Sequence, residues 1–296
     1  MNDYVIIVDS TIDLGVDQIN ELDVTIVPLR FCFGDQEYTQ YADGREMSTE
    51  EFFARIKAGE NASTNQATAS DFMDAAEPFL KEGKDVLIIP FSSKLSGTYQ
   101  SSVIAAAELN EKYPNNKTIA IDTKSASGGY GLLVYCVVKM KREGKTIDEI
   151  ADWVRAHQLN FCHWVTIGDL GHLKRGGRIS AASAMFGTLL GVKPIIIMDN
   201  EGSLVPIGKV RGRIQSLDNL VDEMEKSIDR SLCDMVFINH SECLGDAQYI
   251  KEQVKARIGI KGHNIIINPL GPVIGAHTGC GCVALFFTGC QRTSMK

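Results

Sequence analysis

With 296 residues, 44% hydrophobic and 23% charged, the chain is too long for one ordinary core and too apolar for disorder. A formal charge of −7 without a nucleic-acid motif argues against nucleic acid as partner, and no window holds the ~18 apolar residues of a spanning helix. Eight cysteines scattered over such a length argue against a secreted disulfide scaffold, and the first residues carry no basic leader, so the expectation is a cytoplasmic protein with mostly reduced thiols.

The first half alternates strand and helix. Tyr4 to Asp9 reads as a buried strand, a short helix follows near Val16 to Leu22, and VTIVPLRFCF continues as β up to a Gly34-Asp35 turn. Ser48 with Glu51 forms a capping box ahead of FFARIKAG, and Asn61 to Thr68 reads as a hydroxyl-rich loop. The strands VLIIPF and TIAID precede helices beginning near Ser96 and Gly129, a parallel, doubly wound pattern. A second capping box, Thr146 with Glu149, opens an amphipathic helix through Leu159.

Composition changes after that helix, which places the domain boundary near Phe161: residues 1–161 form an N-terminal α/β domain, and residues 162–296 a C-terminal α/β domain with a mixed sheet. In order come a strand His163 to Ile167, a glycine-rich turn LKRGGRIS, a small-residue helix AASAMFGTLLG, and strands KPIIIM and LVPIGKV. A helix Ile214 to Ile228, a strand DMVFINH, a helix Asp246 to Ile258, HNIIINPLG and CVALFF complete the chain.

Three segments carry the chemistry. Ser92, Ser93, Ser96, Gly97 and Thr98 lie where a strand ends and a helix starts, a place rich in free N–H groups that suits a carboxylate or phosphate. Ser96 is the natural N-cap, and capping alone explains it as well as ligand binding does. Thr64 can reach the same crevice from its loop if the strand order permits, and a capped loop explains the segment equally well. Four glycines surround His277 in GPVIGAHTGCG, where the backbone approaches something closely; His277 is either a ligand to an anion or a satisfied core histidine.

Other chemistries fit less well. A Ser96–His277 esterase or thioesterase lacks a G-x-S-x-G elbow and an acidic orienter, and a zinc site of His277, Cys280, Cys282 and Cys290 rests on a weak C-x-C spacing. Neither a P-loop nor a dinucleotide fingerprint is complete, so the chain has no ATP site of its own. Charge is uneven: residues 1–165 carry 15 Lys and Arg against 25 Asp and Glu, residues 166–296 carry 15 against 12. Lys174, Arg175, Arg178, Lys193, Lys209, Arg211 and Arg213 form a basic stretch, either a solvated face or a surface for an acidic or phosphate-bearing partner.

VDSTIDL (Val8 to Leu14), TIVPL, STNQAT (Ser63 to Thr68), SSKLSGTYQS (Ser92 to Ser101), IDTKSASGGYGLLV, LKRGGRIS, GVKPII, GKVRGR (Gly208 to Arg213) and GPVIGAHTGCG, taken together, resemble the DegV family of bacterial fatty-acid-binding proteins. The resemblance implies a two-domain α/β protein that holds one long-chain fatty acid between its domains and presents the carboxylate to a separate ATP-dependent fatty acid kinase. It implies no enzyme activity or cofactor in this chain, with ATP and Mg on the kinase, and it admits transient membrane contact. By the same resemblance Thr64, Ser96 and His277 bind the carboxylate, with Ser93, Gly97 and Thr98 beside them. Arg211 assists the partner's reaction, and Lys174, Arg175 and Arg178 share its surface. Asn65, Ala67 and Cys280 depart from the family pattern, the last two where the family usually has proline, which makes both loops less rigid.

Overall fold

The computed structural model describes residues 3–168, 170–179 and 191–292. Its first half runs β1 (Tyr4–Asp9), α1 (Val16–Leu22), β2 (Thr25–Val27), β3 (Arg30–Phe33), β4 (Gln36–Thr39), α2 (Thr49–Lys57), β5 (Ala62–Asn65), α3 (Ala69–Lys81), β6 (Asp85–Ile89), α4 (Thr98–Lys112), β7 (Thr118–Ala120), α5 (Ser127–Arg142) and α6 (Ile147–His157). The second half runs β8 (Phe161–Thr166), α7 (Gly171–Arg175), β9 (Val192–Met198), β10 (Leu204–Arg211), α8 (Arg213–Ser227), β11 (Val236–His240), α9 (Leu244–Ile258), β12 (Ile265–Pro269), α10 (Pro272–Thr278) and β13 (Val283–Thr288).

A parallel sheet of order β2-β1-β6-β7 anchors the first half, and β6 is buried at every position, as a strand covered on both faces must be. The second half is a mixed six-stranded sheet, β10-β9-β8-β13-β11-β12, in which only β11 and β12 pair in parallel. The architecture is thus the expected two-part α/β fold. The small-residue helix expected over AASAMFGTLLG falls largely outside the described residues.

Several elements differ from expectation. The run VTIVPLRFCF does not continue as one strand: Pro28, with no N–H for a ladder, separates β2 from β3, and β3 joins a separate antiparallel sheet, β4-β3-β5. The supposed loop around Thr64 is therefore strand β5, with Phe31 opposite Thr64 and Arg30 opposite Asn65. Thr68 and Asp71 form a capping box on α3, whereas Ser48 supplies only its own half of one, accepting from Glu51 N at 3.1 Å. LKRGGR is a short helix, α7, followed by a glycine turn at Gly176–Gly177.

The helix α5 belongs to both halves. It precedes Phe161, yet it packs on β8, β11 and β13 of the six-stranded sheet, with ten residues from Ser127 through Cys136 almost all buried. A close approach is built in at Gly129, where a Cβ would run into the His163 ring on β8.

Candidate functional site

A cavity lies between the two halves, with about 990 Å³ of space free of protein atoms when its open mouth is counted. Strand alternation supplies one wall. Val165 on β8, Ile196 and Met198 on β9, and Ala284 and Phe286 on β13 point inward, while their neighbours Trp164, Ile197 and Leu285 belong to the opposite face. Phe91, Leu95, Leu204, Leu270 and Val273 complete the apolar lining.

Polar groups converge at the mouth. Thr64 from β5 and His277 from α10 meet there, with Oγ1 and Nε2 2.9 Å apart, although 213 positions separate them in sequence. Pro272 at the first position of α10 starts that helix, and Gly275 lets it lie flat on the α2 aromatics: a Cβ there would stand 2.7 Å from Phe53 Cζ. The other ring nitrogen, Nδ1, faces the backbone of Gly176 and has no hydrogen-bond partner among the described residues. Burial, with the nearby Arg178 charge, brings the imidazole down to about 4, so it is neutral at physiological pH.

Ser96 also lines the cavity. Its Oγ pairs with Thr98 Oγ1 at 2.9 Å and accepts from Thr98 N at 3.2 Å, but α4 begins at Thr98, so Gly97 occupies the N-cap position and Ser96 stands one residue earlier than expected. Gly97 faces the Gln66 side chain, and Thr98 is fully buried off the cavity wall. Ser93 is committed elsewhere: its N–H donates to Asp122 Oδ1 at 3.1 Å and its hydroxyl to Asp122 Oδ2, outside the lining. Of the hydroxyls proposed from sequence, Thr64 and Ser96 reach the cavity and Ser93 and Thr98 do not.

Arg178 corrects the sequence reading most. Assigned to the partner surface, it instead turns inward and lines the cavity, its Nε donating to Leu95 O at 3.1 Å and its Nη1 to Gly176 O. The polar end therefore contains an arginine, which a reading of hydroxyls and one histidine lacked. Lys174 and Arg175 are exposed on α7, and Arg211 is exposed at the end of β10 opposite Val192.

His163, unremarked in the sequence, lies deeper in the wall. Its Nδ1 donates to Phe161 O at 2.9 Å and its Nε2 accepts from Ala126 N at 3.2 Å; full burial keeps it neutral, a satisfied core histidine. A four-ligand zinc site is not assembled: Cys282 and Cys290 flank the opposite ends of the six-residue strand β13, and no group of three or more metal-ligating side chains occurs among the described residues.

A serine-hydrolase constellation is likewise not formed. Ser96 bonds Thr98 rather than His277, and the charge acting on His277 is that of Arg178 rather than of a carboxylate. Among the described residues, no helix is long and apolar enough to cross a membrane.

Comparison with known proteins agrees with this geometry. A DegV domain-containing protein of Clostridium perfringens is 40% identical over 289 residues, covering 98% of each chain. Two solved structures titled as fatty-acid-binding DegV family proteins, from Thermus thermophilus and Streptococcus agalactiae, are each 26% identical, with TM-scores of 0.84 and 0.83, covering 98% of this chain and 100% of theirs. The model of the DegV family, described as uncharacterised proteins, matches residues 3–289, and the chain belongs to that family.

Proposed function

We propose that this protein binds one long-chain fatty acid, with its carboxylate at Thr64, Ser96 and His277 and its tail in the cavity between the halves. The supporting observation is the cavity's polarity: two hydroxyls, a neutral imidazole and the Arg178 guanidinium gather in one part of it, and the remaining wall is mostly aliphatic and aromatic, with Ser127, Thr278 and the neutral His163 among its polar members. Relatives of the same fold are fatty-acid-binding proteins. Burying a tail of about sixteen carbons at ~0.8 kcal/mol per CH₂ gives a gross drive on the order of 10 kcal/mol, so the apolar walls supply most of the affinity and the polar end sets orientation.

The chain acts as a carrier that presents the carboxylate to a separate ATP-dependent fatty acid kinase in the cytoplasm. ATP and Mg belong to that partner. Exposed Lys174, Arg175 and Arg211 supply the cationic surface suited to a nucleotide-bearing partner, with Arg211 assisting the transfer.

Native mass spectrometry of protein taken from a bacterial cytosol, before and after incubation with fatty acid, tests the first half of the reading. One fatty acid per chain is expected. Protein that neither carries nor takes up fatty acid overturns the proposal. Acyl phosphate formed by a fatty acid kinase only when this chain is present, and lost in Arg211→Ala with fatty acid still bound, tests the second half.

A further inference from the structure

Ser127, Thr278 and His163 put polar groups into the tail wall of the cavity, and two of the three are already bonded. Thr278 Oγ1 donates to Ile274 O at 3.1 Å, and the two ring nitrogens of His163 are bonded to the backbone at Phe161 and Ala126. Ser127 is the exception. It is 4% exposed and lines the cavity, yet its Oγ has no hydrogen-bond partner among the described residues. A buried hydroxyl in that state is costly, and the cost is removed by an occupant that bonds it.

Ser127 is also the first residue of α5, a helix of 16 residues whose N-terminus no side chain caps. The N–H groups of its first turn have no earlier turn to bond to, so they add donors and a partial positive charge beside the hydroxyl. Gly128 and Gly129 let the helix end lie close against the wall: a Cβ on Gly128 would stand 2.7 Å from Phe286 Cδ2, and one on Gly129 2.3 Å from His163 Nε2. Phe286 is the fourth of six residues in β13, and α10 with His277 comes before the first, so the α5 end meets the tail rather than the head group. The backbone at Ser127 is left-handed, with φ 52°, which glycine adopts without strain and serine does not. The hydroxyl also weighs on the Asp13 carboxyl, outside the lining; with its proton turned that way, Oγ keeps lone pairs for a donor in the cavity.

Resting on the fatty acid reading above, we propose that the N-terminal end of α5 with Ser127 is an oxygen-binding subsite, and that the cavity takes a long-chain fatty acid carrying a hydroxyl group in mid-chain. The ligand hydroxyl accepts from the N–H groups of the first turn and donates to Ser127 Oγ. A wholly apolar wall would reject such a ligand, because its hydroxyl gives up water with nothing in exchange. Here the exchange is made, and the unpaired Oγ gains its partner. An unsubstituted chain leaves both the hydroxyl and the helix end unanswered.

Native mass spectrometry of the full chain, offered stearate in equimolar competition with 3-, 10- or 12-hydroxystearate, reads the preference directly. At least one of the mid-chain isomers, 10- or 12-hydroxystearate, is expected to outcompete stearate by roughly tenfold. The 3-hydroxy isomer, whose oxygen lies beside the carboxylate, should show no such advantage. Ser127→Ala should bring the ratio of bound mid-chain isomer to bound stearate to one or below, and so should Ser127→Gly, which suits the left-handed backbone. Stearate bound as well as both mid-chain isomers is the result if an ordered water alone fills the place, and it overturns the inference while the fatty acid reading stands. An equal advantage for 3-hydroxystearate, or an advantage that survives both substitutions, overturns it in the same way. A chain that binds neither stearate nor any hydroxystearate overturns the fatty acid reading and the inference with it.

Discussion

Thr64 and His277 satisfy each other when no anion is present, so a carboxylate arriving between them exchanges one neutral hydrogen bond for charge-assisted ones. Thr64→Ala removes one such donor and should weaken fatty acid binding by about 1.5–3 kcal/mol, roughly ten- to a hundredfold, as read by calorimetry. A change of less than twofold would remove Thr64 from the head-group site. A second residue test concerns Asp13, whose backbone is left-handed and whose Oδ1 accepts from Gly271 N at 3.0 Å across the two halves. Burial pushes its carboxyl up to about 7, with Asp9 adding a little and Ser127 and Gly271 opposing. A raised acid favours the fold while protonated, so its contribution is whole below about 4 and disappears as pH rises through about 7. Asn tolerates the same backbone and cannot ionise, so Asp13→Asn should gain Tm relative to the parent between pH 5 and pH 8. An offset equal at both pH values would refute this. At this level the local sequence left Thr64, Ser96 and His277 open between structural and ligand-binding roles, and only the family resemblance singled them out. It misplaced Arg178 on the partner surface: the inward turn depends on the paired glycines that follow α7 and on Leu95 O, a contact 83 positions away.

The helix α10 carries His277 and is only seven residues long, so its place depends on what it lies against. Gly275→Val would press a branched side chain into Phe52 and Phe53, lift the helix, and draw His277 away from Thr64. The expected outcome is a loss of about 1–3 kcal/mol in stability by denaturant titration, with weakened fatty acid binding although no polar group has changed. Binding at parental strength would show that α10 does not position the site. Strand and helix periodicity identified nearly every long element here, because a strand such as β6 or a helix such as α6 repeats its pattern through several turns or pleats. It failed at β5 and at the separation of β3 from β2. Four residues, ASTN, carry no apolar alternation, and a single proline redirected a run that otherwise reads as continuous β. The pairing of Phe31 with Thr64 is a tertiary choice that a local window does not contain.

The cavity exists because two separately built sheets leave a gap between them, and Ala284 occupies a central strand of its wall. Ala284→Phe fills that space from within. The variant should remain folded and lose the thermal shift that saturating fatty acid gives the parent, which at a hundredfold excess over Kd amounts to about 2.7 kcal/mol of added stability. An unchanged shift would mean that the tail lies elsewhere. A two-part α/β plan was readable from the order of strands and helices alone, while the route of the cavity was not, since its walls come from residues scattered between Leu29 and Phe286. The placement of α5 has one more consequence. Its buried surface rests on strands supplied by the later half, so a fragment ending at Asn160 would present that face bare to solvent. Such a fragment should aggregate when expressed by itself and return to solution when residues 161–296 are co-produced as a second polypeptide. The covalent junction between the halves is then dispensable, and the shared helix is what makes them one molecule.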